Sequence, residues 1–467
     1  MAIRLSDQQV VDATAGERAR IGARASYSAV CTDTRTVTPG SLFVALKGER
    51  FDAHDFLKQA AERGAAGVVV EKGRATGFEA SEVAIYEVKD TLNALGRLAR
   101  FHRDRFKVPI GAVTGSNGKT TTKELIASIL ETRGPALKTQ GNLNNEVGVP
   151  LTLFNLEPKH VAAIIEMGMN HEGEISRLTE IARPHAGLIT TVQPAHLEGV
   201  GSIEGVARAK GELFWGLAPT ATAVVNLDDP HVVSQSKNLT ARKLTFGRST
   251  AAEVHLAKVE AKGRDGLLVE IVWLGLKYPV ALQLIGEHNA MNATAAFAMG
   301  VALGYAPEAC VRGLEVSRPH ARRLQILEAA FGVTVIDDCY NANPSSMSAA
   351  LSTLKTFVGA GRAVAVIGDM LELGDREEEN AHQHLVNEAL ASAPLVAFFG
   401  PRTARAFASS SLAAGTLARS FEDITALNEW LQSQLKPADT VLIKGSRSMK
   451  LERVVDALTG SQSGGGH

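Results

Sequence analysis

The chain has 467 residues, of which 45% are hydrophobic and 21% charged, and its formal net charge is -1 at pH 7. This composition is typical of a globular protein, and the length favours about three domains. The balanced charge gives no reason to expect nucleic acid or an anionic membrane as a partner. The N-terminal residues lack the apolar core of a signal peptide, and no apolar run approaches the roughly 18 residues of a membrane helix. Three distant cysteines argue against a disulfide framework or a Cys₄ metal site, so we predict a soluble cytoplasmic protein.

Residues 1–106 are predicted to form a small α/β unit. Its predicted strands are three apolar segments, at residues 41–46, 67–70 and 83–86, and a helix is predicted over residues 92–106. The loop after the first strand carries hydrogen-bond donors and one aromatic ring, at Lys47, Gly48, Phe51, Asp52 and His54. Such a loop could hold a nucleotide diphosphate, and by its spacing it could equally be a solvated turn.

The next stretch predicts a phosphate-binding loop. An apolar run at residues 108–113 predicts a buried strand, Gly115 and Gly118 allow a tight turn, and Lys119 and Thr120 open a helix. Backbone amides and the helix N-terminus can hold phosphate oxygens, the lysine adds a positive charge, and the threonine hydroxyl can reach Mg²⁺. The alternative is a strand-to-helix turn that contains a lysine without binding phosphate.

The remaining pattern alternates strands with helices. The central unit, residues 107–315, has further predicted strands at 161–166, 187–192 and 221–226, short antiparallel strands within 252–284, and a helix over 289–303. The last unit, residues 316–467, has predicted strands at 333–338, 362–369, 395–399 and 440–444. The sequence therefore predicts a three-domain α/β protein. We expect a small α/β N-terminal domain, a central P-loop domain with a doubly wound, mostly parallel sheet, and a Rossmann-like C-terminal domain.

Three side chains in the central unit could hold a metal ion. Glu166 ends a predicted strand beside the phosphate-loop strand, where a Mg²⁺ ligand is needed, although a carboxylate at a strand end can also be solvated. His196 follows the next strand, and a single histidine is more often structural than a ligand. Lys210 lies on a helix predicted to begin at Ser202, and its position alone assigns it no role.

Several motifs together resemble the Mur ligase family. The phosphate loop is of the shorter TGxxGKT form that this family and the folylpolyglutamate synthases share, because Val113 stands where the longer loop has glycine. The other matching segments lie around Glu166, His196 and Lys210, and at residues 33–35, 47–52, 142–150, 288–292, 337–344, 368–373 and 444–447. Within the family these segments resemble those of the member that adds D-alanyl-D-alanine to UDP-N-acetylmuramoyl-tripeptide.

The resemblance implies a role for each matched residue. Lys119, Lys210 and His196 would be catalytic. Mg²⁺ would be held by Thr120, Glu166, His196 and Lys210, and Lys210 would be carbamylated so that it can act as a ligand of a second Mg²⁺. Adenine would meet Asn289 and Asn292, the phosphates Arg323, and the ribose Asp337 or Asp338; the rest of the nucleotide site would be Thr114, Gly115, Ser116, Asn117, Gly118, Lys119, Thr120 and Thr121. The other substrates would contact Asp33, Thr34, Arg35, Lys47, Gly48, Phe51, Asp52, His54, Asn142, Asn144, Asn145, Glu146, Tyr340, Asn341, Asn343, Lys444, Ser446 and Arg447.

Two positions depart from the family pattern. The usual Gly-Arg before the third domain is Arg322-Arg323 here, and the usual Asp-Ser-Arg of the first domain is Asp33-Thr34-Arg35, which keeps the hydroxyl.

The activity implied by the resemblance is that of an ATP- and Mg²⁺-dependent amide ligase, expected to act as a monomer. One rival is a folylpolyglutamate-type ligase. Residues 33–35 and 47–52 resemble the N-terminal uridine-nucleotide domain of the Mur ligase member, and this argues against that rival. The other is a nucleotide switch without ligase activity, but the sequence has no Asn-Lys-x-Asp motif for reading guanine. The sequence leaves open whether the third tripeptide residue is diaminopimelate or lysine.

Overall fold

The structure, a computed structural model, describes residues 3–80, 82–194 and 197–460. In these ranges the chain forms three large sheets from three consecutive stretches, residues 17–88, 110–282 and 325–444. The predicted fold class, three α/β domains with mostly parallel sheets, is confirmed. The domain boundaries at residues 106 and 315 stay predictions. No helix in the described ranges has the length and apolar character needed to cross a bilayer.

The first unit contains a five-stranded sheet and a short antiparallel pair. Its elements in chain order are β1 (Leu5–Ser6), α1 (Asp7–Thr14), β2 (Glu17–Arg20), β3 (Ser26–Tyr27), β4 (Ala29–Cys31), β5 (Ser41–Val44), α2 (Leu57–Glu62), β6 (Ala65–Glu71), β7 (Ala84–Val88) and α3 (Thr91–Asp104). The sheet order is β2-β7-β6-β5-β4, in which only β2 runs antiparallel to its neighbour. The three predicted strands are present as β5, β6 and β7.

The central unit contains a nine-stranded sheet. Its strands are β8 (Ile110–Thr114), β9 (Ala136–Lys138), β10 (Ala162–Glu166), β11 (Ala186–Ile189), β12 (Thr222–Asn226), β13 (Arg242–Gly247), β14 (Val254–Ala261), β15 (Leu267–Trp273) and β16 (Leu276–Leu282). Its helices are α4 (Lys119–Leu130), α5 (Gly148–Leu153), α6 (Glu174–Ala182), α7 (Leu197–Val200), α8 (Ile203–Trp215), α9 (Pro230–Gln235), α10 (His288–Ala302) and α11 (Pro307–Val316). The order is β16-β15-β14-β13-β12-β11-β8-β10-β9, with β15 and β16 as the antiparallel extension that the sequence predicted.

The third unit contains a six-stranded sheet in the order β17-β18-β22-β19-β20-β21, with only β17 antiparallel. Its elements are β17 (Gln325–Glu328), β18 (Thr334–Asp337), α12 (Pro344–Phe357), β19 (Ala363–Gly368), α13 (Asp375–Ser392), β20 (Leu395–Phe399), α14 (Pro401–Ala408), β21 (Leu417–Phe421), α15 (Ile424–Gln434), β22 (Thr440–Lys444) and α16 (Glu452–Thr459). The four strands predicted here are present.

The apolar cores show how the units are joined. Alternate residues of β8 enter different clusters, Ile110 and Ala112 on one face and Val113 on the other, because successive strand side chains point to opposite faces. The first of these clusters also contains Leu42 and Leu98, so the first and central units share one core. The third unit has two clusters of its own. Ile285 is the one central residue among the buried residues named in them. Its junction with the central unit is therefore mainly polar.

Candidate active site

The phosphate loop joins β8 to α4 and contains two glycines in the left-handed region of backbone space. Gly115 has φ +147° and Gly118 has φ +78°. A Cβ atom at Gly115 would lie 1.9 Å from Thr190 Oγ1, and one at Gly118 would lie 2.5 Å from Asn292 Oδ1. Both positions therefore require glycine. The loop ends at the N-terminus of α4, where backbone amides and the helix dipole stabilise an anion.

Lys119, the first residue of α4, folds back over this loop. Its Nζ donates to Gly115 O at 2.6 Å and lies 3.3 Å from Ser116 O. Burial lowers the pKa of Lys119, an effect that the Glu166 carboxylate opposes and the Arg323 charge reinforces. The amine is thus held at the loop by carbonyl oxygens, which phosphate oxygens could replace as acceptors.

Glu166 is the last residue of β10, as predicted, and is 2% exposed. Its Oε1 accepts a hydrogen bond from Asn144 Nδ2 at 2.9 Å, whereas its Oε2 is buried without a partner among the described residues. A buried carboxylate oxygen is costly unless something pairs with it. The free oxygen therefore marks a position suited to a cation.

Lys210 lies on α8, whose N-cap is Ser202 as the sequence predicted. The side chain is 2% exposed and lines the same cavity as Lys119 and Glu166. Burial, with the charge of Lys119 adding to it, lowers the pKa of the Lys210 amine well below its ordinary value. The amine is thereby biased toward its neutral, nucleophilic form.

Two cavities meet at the phosphate loop. The one on the Glu166 side measures about 310 Å³ and brings together predicted residues from the central and third units, namely Ser116, Asn117, Gly118, Lys119, Thr120, Asn142, Asn144, Asn145, Glu166, Lys210, Arg323, Tyr340, Asn341, Asn343 and Lys444. The other measures about 530 Å³ and contains Thr121, Asn289, Asn292 and Asp338. Thr114 lies buried beneath the loop at the end of β8.

The larger cavity has the dimensions and polar lining of a nucleotide site. Asn292 Nδ2 donates to Asn289 Oδ1 at 2.9 Å, and Asn289 Nδ2 donates to Ile285 O at 2.7 Å. These bonds fix both amides on α10. The face that they present to the cavity can read the edge of a base.

The third unit contributes charged groups to both cavities. Arg323 stacks on the Tyr340 ring at 4.1 Å, and its Nη2 donates to Thr120 Oγ1 at 3.3 Å. Lys444 Nζ donates to Asp338 Oδ2 at 2.7 Å and to Asn341 O at 2.9 Å. Two positive side chains from the third unit therefore stand close to the phosphate loop.

The structure shows which of the two neighbouring aspartates, 337 and 338, and which of the two neighbouring arginines, 322 and 323, faces the cavities. Asp338 lines the larger cavity, whereas the Asp337 carboxylate accepts from Cys339 N at 3.1 Å and burial raises its pKa. Arg322 turns away toward Glu452, at 3.5 Å, while Arg323 lines both cavities. Asp338 and Arg323 are thus the members of each pair that face the candidate site.

Three predicted residues, Ser446, Arg447 and Glu146, line neither of the two cavities at the phosphate loop. Ser446 and Arg447 line a separate cavity of about 380 Å³, which shares Asn341 with the cavity at Glu166. Glu146 forms an ion pair with Arg177 and lines neither of the two cavities at the phosphate loop.

The first-unit loop is a surface feature. Arg35 forms an ion pair with Asp33 at 2.6 Å, and its side chain is 83% exposed. Lys47 and Asp52 form an isolated β-bridge, between which Phe51 is 75% exposed. The remaining candidates there are Thr34, which donates to Gln59, Gly48, whose N–H donates to Phe51 O, and the buried His54. None of these residues lines the two cavities at the phosphate loop.

Comparison with known proteins covers nearly the whole chain. Residues 26–103 match the Mur ligase family catalytic domain, residues 113–300 the Mur ligase middle domain, and residues 322–447 the Mur ligase glutamate ligase domain. The UDP-N-acetylmuramoyl-tripeptide--D-alanyl-D-alanine ligase of Escherichia coli is 39% identical over 446 residues, which is 94% of this chain and 95% of the relative. The chain belongs to the Mur ligase family.

Solved structures agree with this assignment. A crystal structure of MurF from Acinetobacter baumannii is 33% identical, with a TM-score of 0.89, and covers 98% of this chain and 100% of that one. The MurF ligase of Thermotoga maritima, solved in complex with ADP, is 28% identical with a TM-score of 0.81, over 92% and 96% of the two chains. The family resemblance predicted from the motifs is confirmed.

For a Mur ligase, the donor set described here fits a divalent cation in part. Glu166 Oε2 is an unpaired buried carboxylate oxygen, and Thr120 Oγ1 lies at the N-terminus of α4, both of which are the oxygen ligands that Mg²⁺ prefers. No group of three His, Cys, Asp or Glu side chains poised to bind a metal occurs in the described ranges. His196 lies outside the described residues.

Sequence reasoning missed several residues that line the larger cavity, among them Asn226, Asp228, Arg248 and Gln193. Asn226 ends β12, so the rule that ligands bind beyond the carboxyl ends of parallel strands could have identified it. Gln193 follows β11 and carried no comparable signal, because its contacts are with the phosphate loop and the third unit.

Proposed function

We propose that the chain is an ATP-dependent amide ligase that joins D-alanyl-D-alanine to UDP-N-acetylmuramoyl-tripeptide in the cytoplasm, as a step in building the peptidoglycan precursor. The observation that carries the proposal is the cavity in which Lys119, Glu166 and Lys210 meet Arg323 and Lys444 of the third unit. Relatives that bear this activity in their names match over almost the full length of the chain.

In this proposal the larger cavity takes ATP. Asn289 and Asn292 hydrogen-bond the base, Asp338 the ribose, and the amides of the phosphate loop the phosphates. Lys119 and Arg323 bring positive charge to the γ-phosphoryl group. Charge aimed at the transferring oxygens is the main way in which proteins accelerate phosphoryl transfer.

The reaction activates a carboxylate. The tripeptide carboxylate attacks the γ-phosphoryl group, which gives an acyl phosphate and ADP, and the amine of D-alanyl-D-alanine then displaces phosphate. Mg²⁺ held by Thr120, Glu166, His196 and a carbamylated Lys210 would supply charge neutralisation at the phosphate oxygens. Lys210 is 2% exposed at this cavity, and exclusion of water from it would protect the reactive acyl group from hydrolysis.

The other substrates meet this cavity from two sides. The loop at residues 33–54 binds the uridine nucleotide, and the tripeptide extends past Asn142, Asn144 and Asn145 to the phosphate loop. The cavity around Ser446 and Arg447 takes the dipeptide, because a guanidinium group suits its carboxylate. We expect the protein to carry this out as a monomer.

A coupled assay tests the proposal. Phosphate release from ATP and Mg²⁺ should be appreciable only when UDP-N-acetylmuramoyl-tripeptide and D-alanyl-D-alanine are both present. Product should be identified by mass, with tripeptides that carry diaminopimelate or lysine supplied separately. Phosphate release that ignores both substrates would indicate a nucleotide switch, and product from a folate substrate would indicate the folylpolyglutamate-type alternative.

A further inference from the structure

The third unit is attached to the phosphate loop by a cluster of four polar side chains, Asn117, Gln193, Asn343 and Ser345, which we term the latch. Asn117 belongs to the phosphate loop, Gln193 to the segment after β11, and Asn343 and Ser345 to the start of α12 in the third unit. We propose that Gln193 is a positioning residue that sets the third domain against the phosphate loop. The consequence for turnover rests on the proposed function, whereas the positioning itself does not.

The hydrogen bonds of the latch cross the junction in both directions. Asn117 Nδ2 lies 2.6 Å from Gln193 Oε1 and 2.7 Å from Ser345 Oγ, and Asn343 Nδ2 donates to Asn117 Oδ1 at 2.7 Å. Ser345 Oγ also donates to Gln193 Oε1. The side-chain oxygen of Gln193, Oε1, thus accepts one hydrogen bond from the central unit and one from the third unit.

Gln193 is held rigidly from its backbone. The backbone N–H of Gln193 donates to Ser116 Oγ, and its backbone carbonyl oxygen accepts from the same hydroxyl, each at 2.9 Å. The preceding residue, Val192, donates its N–H to Asp229 Oδ2 at 2.6 Å. Because the backbone is already ordered by these bonds, the side chain loses little further entropy when it joins the latch.

The opposite side of the latch is equally preorganised. Asn343 is the N-cap of α12, where its Oδ1 accepts from Ser346 N at 2.9 Å and its N–H donates to Ser346 Oγ at 3.0 Å. Ser345 follows in the first turn of that helix. The latch therefore joins two fixed elements, so its hydrogen bonds determine how the domains are oriented.

The other contacts across this junction contribute little to holding the third domain in place, so the latch contributes a large part. The apolar clusters of the third unit include little from the central unit, as described above. At the β14–β15 turn Arg264 contacts Glu328 and Thr334, but the Arg264 and Glu328 side chains are 54% and 61% exposed. Exposed ion pairs contribute little. Arg323 Nη2 also crosses the junction, to Thr120 Oγ1 at 3.3 Å, so the docked position of the third domain places this guanidinium at the phosphate loop.

Distances between spin labels test the positioning directly. One label is attached at Lys237→Cys in the central unit and one at Glu429→Cys on α15, both exposed positions, while the native Cys31, Cys310 and Cys339 are buried. Distance distributions are recorded for the full-length protein with and without a non-hydrolysable ATP analogue.

We expect Gln193→Ala to lower the ratio of docked to undocked molecules about tenfold in at least one of the two conditions, because the Ser345–Gln193 hydrogen bond across the junction is lost together with the bond that orients Asn117. Gln193→Glu keeps the accepting oxygen and should retain the wild-type distribution in the absence of the nucleotide analogue. The matched control is Gln283→Ala, which removes a glutamine whose amide bonds only Glu315 O within the central unit. An unchanged distribution for Gln193→Ala in both conditions, or an equal change for Gln283→Ala, would overturn the proposal.

A double-variant cycle assigns the effect to the latch. Gln193→Ala and Ser345→Ala should each reduce docking, and the double variant should lose less docking free energy than the sum of the two single variants, because both remove the Ser345–Gln193 hydrogen bond. Fully additive effects would overturn the pairing of these two residues.

Turnover gives the second readout. Under the proposed function, Gln193→Ala should lower kcat about tenfold and leave the KM for the uridine substrate unchanged, since the first unit is not touched. A reduced kcat with wild-type distances would make Gln193 a residue of the loop alone and overturn the positioning role. Distances that respond to Gln193 in a protein without ligase activity would keep the latch and refute the proposed function.

Discussion

The cavity at Glu166 and the loop at residues 33–54 differ in how far the fold has already formed them. At the cavity, Glu166 and Lys210 are each 2% exposed, and Lys119 Nζ donates a hydrogen bond to Gly115 O. At the loop, the Arg35 side chain is 83% exposed and Phe51 is 75% exposed. The first site exists before any ligand arrives, whereas the second is a set of side chains that a ligand would have to order.

This contrast follows from position in each sheet. The cavity at Glu166 lies beyond the carboxyl ends of β8 and β10, two neighbouring parallel strands whose following residues line it. The segments at residues 33–40 and 45–54 lie on either side of β5 in a smaller sheet, and they expose Arg35 and Lys47 while His54 is buried. Substitutions at the cavity should therefore change the chemical step, and substitutions at the loop should change one substrate's affinity.

The largest effect is expected at Lys119. Lys119→Ala removes the fixed positive charge nearest the phosphate loop and should lower kcat by on the order of 10³, with little change in melting temperature. The matched control is Lys123→Ala, four residues along the same helix. Lys123 is buried and donates to Thr139 O at 2.7 Å, so its loss should lower the melting temperature instead. Near-normal turnover in Lys119→Ala would remove the phosphate-loop assignment.

Lys210 should be the next most sensitive position. An ammonium beside Mg²⁺ would be repelled, and the depressed pKa of the amine favours the neutral form from which a carbamate can be made. Lys210→Arg keeps a positive charge and cannot form a carbamate, so kcat should fall on the order of 10²-fold or more. Lys210→Ala should be equally impaired, and acetate should partly restore it without helping Lys210→Arg. Wild-type rates in both variants would mean that another group holds the second metal.

Much of this cavity could be predicted from the sequence because local pattern determines it. Glycines, a lysine and a threonine after an apolar strand specify the phosphate loop, and a carboxylate at the end of β10 must lie beside it in a parallel sheet. Strands with mixed polarity, such as β21 and the short β17, escaped prediction because neither has a continuous apolar run.

What the sequence could not supply was set by packing between domains. Asp337 and Asp338 are neighbours, and which carboxylate faces the cavity depends on how the third sheet is docked. Gln193 and Ser345 are separated by 152 positions, so their contact has no local signature. Residue patterns predicted where strands end, but not which surfaces of two domains meet there.

A moderate effect is expected at the exposed loop. Lys47→Ala should raise the KM for the uridine substrate about tenfold through the loss of a charge-assisted contact, while the KM for ATP and kcat stay near wild type. Lys58→Ala, an exposed lysine on α2 in the same unit, serves as the control. Equal changes in the KM of both substrates would mean that Lys47 acts on folding or domain closure, and the contrast between the two regions would fail.

The smallest effect should come from Arg74, which supports the loop without belonging to it. Arg74 Nη2 bonds Asp52 Oδ2 at 2.6 Å, and Asp52 Oδ1 lies 2.6 Å from His54 Nδ1. Burial opposes ionisation of Asp52, but hydrogen bonds from His54 and the charge of Arg74 outweigh it and lower its pKa. Because exposed ion pairs contribute little, Arg74→Ala should raise the KM for the uridine substrate only about two- to fivefold. Calorimetric titration of that substrate measures the change, and Lys72→Ala, which removes a surface pair with Glu17, is the control. A tenfold or larger effect for Arg74→Ala would mean that the loop is as firmly ordered before ligand binding as the cavity at Glu166.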